Sequence, residues 1–146
     1  MATDTSALKK LLTRLIDSRD GYRDAIEHVS SPDMKMTMQS LLERRERNAE
    51  ELRSYLARAG EQVDDDGSLL ASAHRTFMGL RDAVTGSSEQ DVLAEVVRGE
   101  KTLLDAYDDA LAEAGGNDPQ YAFLAEQHRS LKAAIAELEA RKDLAA

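Results

Sequence analysis

Cysteine and tryptophan are absent from the 146 residues, and only two prolines and two phenylalanines occur. Without cysteine, disulfides and thiolate metal sites are excluded. Aromatic residues supply only 4% of the chain, so a core must be built mainly from Leu, Ala, Val, Ile and Met. No apolar run approaches the roughly 18 residues that a membrane-spanning helix needs. The opening stretch MATDTSALKK lacks the apolar core and cleavage pattern of a secretory signal, so a cytoplasmic location is expected. Positive charge is also scarce: 19 Lys and Arg face 28 Asp and Glu, a formal net charge of −9. Such a balance repels phosphate backbones and anionic lipid surfaces, so neither nucleic acid nor membrane is an expected partner. The one arginine-rich stretch, ERRER at 43–47, carries two glutamates and reads as a solvated helix face laced with ion pairs.

What is present is helical punctuation. Both prolines read as helix starts, as Ser31-Pro32 and Asp118-Pro119, each an N-cap followed by N1. Gly60, Gly86 and Gly115-Gly116 each follow a helical stretch, where a left-handed C-cap residue is favoured. Ser87 or Ser88 supplies a further N-cap. These marks predict one domain over 1–146, with long helices at about 6–29, 32–59, 88–114 and 119–142 and a shorter helix at about 68–85. Short links make the first two and the last two long helices antiparallel hairpins. The 60–88 stretch is long enough to return the chain along the bundle, giving an all-α, ferritin-like four-helix bundle with a crossover helix between the second and third long helices. An up-and-down bundle with the short helix as a lid satisfies the same lengths.

Each long helix carries an apolar stripe at i, i+3, i+4, i+7 spacing, interrupted by a polar residue near its middle: Ser18 or Arg19, Arg45, Glu100 and His128. Counted from the helix ends these positions lie at similar depth, which permits one polar layer across the core. A lone buried carboxylate is too costly, whereas the guanidinium fork of Arg45 matches it. A buried Arg45–Glu100 pair is therefore expected, with His128 and Ser18 or Arg19 completing its hydrogen bonds.

The segments GSLLASAHRTFMGLRDAVTG at 67–86 and RGEKTLLDAYDDAL at 98–111 resemble those of a bacterial ferritin-like four-helix-bundle family of unknown function. The DGYRDA element at 20–25 and the arginine at 45 ahead of EEL fit the same order. The resemblance implies a ferritin-like fold with the 67–86 helix in the crossover, and no known reaction.

Ferritin-like di-iron sites need a Glu from each of two helices and a Glu-x-x-His from each of the others. The three histidines, His28, His74 and His128, are each preceded three positions earlier by alanine, and Arg45 brings positive charge where a cation would sit. No cofactor is expected. If iron or manganese were held, Glu100, His128, Glu43 and Glu46 are the candidate ligands, with Glu95 and Asp105 nearby in sequence. His74 and Arg75 read as an anchor for the crossover helix. The competing reading of His74 as a phosphoryl acceptor lacks the His-x-x-Lys-Gly pattern. The preferred function is a non-enzymatic, cytoplasmic binding or stress-associated module acting through protein contacts. It would self-associate as a homodimer through apolar crossover residues such as Leu69, Phe77, Met78 and Leu80. The alternative is a degenerate metal-binding or di-iron-type redox protein.

Overall fold

A computed structural model describes residues 6–60, 88–114 and 121–144. Four long helices make up these residues: α1 (Ser6–Ile26), α2 (Pro32–Arg58), α3 (Glu89–Ala114) and α4 (Ala122–Leu144), with no strand among them. The crossover helix expected at about 68–85, with His74, Arg75 and its apolar residues, lies outside the described residues, as does the expected Asp118-Pro119 helix start.

Local sequence accounts for the helix ends. Ser31 has extended backbone (φ −74°, ψ 122°), its Oγ accepts from the Met34 amide at 3.3 Å, and Pro32 follows in the first helical turn. The hydroxyl thus satisfies one of the amides that a helix N-terminus leaves without an internal partner. Ser88, rather than Ser87, does the same for α3, accepting from the Asp91 amide at 3.2 Å. Gly60 takes φ +88° after the end of α2, a left-handed conformation that glycine adopts without steric cost. α1 stops at Ile26, three residues short of the expected end. There the chain tightens into i→i+3 bonds, from the Glu27 amide to Asp24 O and from the His28 amide to Ala25 O.

Side-chain pairs fix the directions of the helices. The Ala7 amide donates to Glu113 and Tyr22 donates to Glu100, so α1 and α3 are antiparallel. Arg141 on α4 donates to Thr37 on α2, while Phe123 packs near Tyr55, so α2 and α4 are antiparallel too. With α1 and α2 forming a tight hairpin, α2 and α3 run parallel. The C-terminus of α2 and the N-terminus of α3 therefore sit at opposite ends of the bundle.

The core falls into two apolar halves. One gathers Leu8, Leu11, Leu12 and Leu15 with Leu52, Leu56, Leu103, Tyr107 and Leu124. The other gathers Tyr22, Met34, Met38, Leu93, Val96 and Val97 with Leu138. Each fully buried side chain of this size contributes about 1.5–3 kcal/mol. On α1, α2 and α3 the residues between the two halves include Ser18, Arg45 and Glu100, all buried.

Candidate functional site

Three helices bring one buried ion pair together. Glu100, on α3, is fully buried, and Arg45, on α2, is 3% exposed. The Arg45 Nη2 donates to Glu100 Oε2 and its Nε donates to Oε1 at 3.5 Å, so the fork straddles the carboxylate. The Tyr22 hydroxyl, from α1, donates to the same Oε1 at 2.5 Å. The remaining arm of the guanidinium, Nη1, donates to Asn48 Oδ1 at 2.9 Å, one turn along α2. Every nitrogen of the guanidinium and both oxygens of the carboxylate are thus engaged, the condition under which a buried ion pair is tolerable.

The electrostatics of the neighbours follow from this arrangement. Burial alone would lower the Arg45 pKa, but the charge and hydrogen bond of Glu100, aided by the Tyr22 and Tyr107 phenols, outweigh burial and raise it. The guanidinium stays charged. Burial pushes the Tyr22 phenol well above its ordinary range, and the Glu100 charge adds to this while Arg45 opposes it. Burial also raises Tyr107, again against the pull of Arg45. Both phenols are therefore held as neutral donors.

A second polar contact joins the hairpin partners α3 and α4: the Tyr107 hydroxyl donates to Gln127 Oε1 at 2.6 Å. Its other amide branch, Gln127 Nε2, is buried and has no hydrogen-bond partner among the described residues, and the same holds for Ser18 Oγ.

Not every expected member joins the layer. Ser18 is the inward residue of α1, fully buried, whereas the Arg19 Nε donates to Asp20 at 3.0 Å and does not extend to Glu100. His128 also lies elsewhere. Its imidazole is half-buried and sits 2.7 Å from Asp108 Oδ1. The α4 stripe runs Leu124, Gln127, Leu131, Ile135, Leu138, so Gln127 takes the inward place and His128 the flank. Depth separates them as well. Gln90 reaches Lys142 and Tyr107 reaches Gln127, which sets Glu100 level with the region of Ala134. His128 is then about 9 Å away along the axis, at 1.5 Å per residue.

The sequence reading also missed the hydrogen-bonding roles of Tyr22, Asn48, Tyr107 and Gln127, and the burial of Asp17, which is 2% exposed. One signal was available: a tyrosine on an inward stripe carries a hydroxyl that must find a polar partner when buried.

The candidate metal ligands are not brought together. Glu100 is committed to Arg45 and Tyr22. Glu43 is exposed, and Glu46 lies 3.6 Å from Arg23. Glu95 pairs with Arg98 at 2.9 Å, and Asp105 is exposed. Among the described residues no three of His, Asp or Glu gather in a way that could hold an ion. Among the described residues, the Glu100 carboxylate is held by a guanidinium and is not grouped with further carboxylates or imidazoles.

The ERRER stretch meets expectation only in part. Arg45 goes to the core and Glu46 faces Arg23, but Arg44 and Arg47 have no ion pair among the described residues. They line a cleft of about 470 Å³ between α2 and α4, together with Asn48, Phe123, Gln127 and Ser130.

No helix among the described residues is long and apolar enough to cross a membrane. No curated protein and no solved structure matches the chain. A family model described as a domain of unknown function, DUF2383, matches residues 4–113, from the region of α1 through nearly all of α3. That span is well over half of the 146 residues, and the chain belongs to the DUF2383 family.

Proposed function

We propose that this chain is a non-catalytic binding module on a ferritin-like bundle, in which a structural ion pair stands where related architectures would hold metal. The observation that carries the reading is the complete engagement of Glu100 by Arg45 and Tyr22 inside the core. A cation at this carboxylate would face a charged guanidinium already held against both of its oxygens. The carboxylate also offers no reachable proton acceptor to a substrate, being fully buried. The parallel run of α2 and α3 supports the ferritin-like chain order, because a single long crossover requires it. The module would act through its surface, in the cytoplasm, as a homodimer.

The test is metal analysis of protein purified without chelator. Iron and manganese are expected well below one equivalent, unchanged in Glu100→Ala. Stoichiometric iron or manganese that disappears in Glu100→Ala overturns the reading in favour of a metal-binding or redox protein. Light scattering on the eluting peak checks the dimer.

A further inference from the structure

We propose that the cleft between α2 and α4 is a binding site for a small organic oxyanion, a carboxylate or a phosphate ester, clamped by Arg44 and Arg47. The inference rests on the reading of the chain as a binding module and supplies the class of what it binds.

Three observations point to it. The cleft, about 470 Å³, falls in the range of small-molecule sites, roughly 300–1,000 Å³. Its lining carries two guanidinium groups, on Arg44 and Arg47, with no carboxylate on either among the described residues, where most other arginines are paired. Arg44 and Arg47 are three apart on α2, hence neighbours on one face, and guanidinium forks match carboxylate and phosphate oxygens.

The third observation is Gln127. It lines the cleft from α4 and is only 6% exposed. Its Oε1 is fixed by the Tyr107 hydroxyl, which leaves Nε2 as the branch without an acceptor. A buried donor without a partner is unfavourable. Nε2 is itself sealed from solvent, so a ligand oxygen would reach it only on a shift of the Gln127 amide toward the cleft. Ser130 adds a hydroxyl on the same side, and Phe123, packed against Tyr55 at a centroid distance of 5.6 Å, gives the cleft an apolar wall for the organic part of the ligand.

The opposing charges in the lining are Glu51 and Glu126, and Glu126 is occupied by Arg129. The chain's net charge of −9 gives no long-range attraction for an anion. Affinity must therefore come from direct contacts inside the cleft, which makes it sensitive to these side chains and not to total charge.

The experiment titrates the full chain with sodium phosphate and, separately, sodium benzoate, against sodium chloride at matched ionic strength. Thermal unfolding and amide chemical shifts are the readouts. A concentration-dependent rise in Tm beyond chloride is expected with at least one probe, with shifts centred on residues 44–51 and 123–130. The Arg44→Ala/Arg47→Ala variant, which changes no core contact, should weaken binding at least ten-fold. Lys35→Ala removes a like charge on α2 outside the cleft and should leave it within two-fold. A response to phosphate alone assigns a phosphate ester, and a response to benzoate alone assigns a carboxylate. No response beyond chloride overturns the proposal, and so does a response that survives loss of both arginines or falls equally in Lys35→Ala. Such a failure leaves the metal analysis, which reads the core, untouched.

Discussion

At the scale of residues, one carboxylate organises the centre of the protein. Glu100 and Arg45 are each tolerable inside only because the other is there. Glu100→Ala or Arg45→Leu alone is expected to destabilise by about 3–5 kcal/mol, since each strands an uncompensated buried charge. The double change Arg45→Leu/Glu100→Leu should recover most of that loss, because a well-packed apolar pair replaces a buried ion pair at little net cost. Denaturant unfolding of the four proteins in a double-mutant cycle measures the coupling. A near-zero coupling energy would mean the two side chains do not meet in solution. Glu100, Arg45 and the inward place of Ser18 were legible in the sequence, because a charge on an apolar stripe demands a counter-charge at similar depth. The roles of Tyr22, Asn48, Tyr107 and Gln127 were not: a tyrosine reads as an apolar stripe residue until its hydroxyl is placed beside a particular acceptor.

At the scale of elements, short-range chemistry marks the helices, and the four long ones among the described residues lie within a few residues of their expected bounds. The α2 start illustrates why. Ser31 and Pro32 act on amides within one turn, so neighbouring residues alone determine the cap. Ser31→Ala is expected to cost about 1 kcal/mol by loss of the Oγ to Met34 amide bond. Thermal or chemical unfolding measures it, and Ser31→Asp should restore most of the loss, since aspartate caps as well as serine. The rotational setting of α4 was less legible. Its stripe of Leu124, Leu131, Ile135 and Leu138 allows an inward place at either 127 or 128, and only the packing against Tyr107 chooses Gln127.

At the scale of the whole molecule, the two hairpins close around two neutral phenols, and this sets the alkaline limit of stability. Burial raises the pKa of Tyr22 and Tyr107 in the folded chain. The folded state therefore retains protons that the unfolded state releases above about pH 10. Their contribution to stability is fully present below that pH and is lost as pH rises through it toward the higher folded values. Absorbance at 295 nm during an alkaline titration should show at least two of the four tyrosines ionising only together with loss of helical circular dichroism. If all four ionise while the helices persist, the two rings are not buried as described. Tyr22→Phe should also move the unfolding to higher pH, provided the variant is compared at equal starting stability, because one raised phenol is removed.

Composition and local pattern by themselves determined that this protein is helical, where its long helices lie, and that an arginine and a glutamate share the core. Those properties follow from spacing along a helix and from caps that act within a turn. The tertiary structure alone decided that α2 and α3 run parallel, that Gln127 rather than His128 faces inward, and that Arg44 and Arg47 border a cleft instead of joining surface ion pairs. Each of these depends on which helix faces which, a relation between residues far apart in the chain that no local spacing encodes.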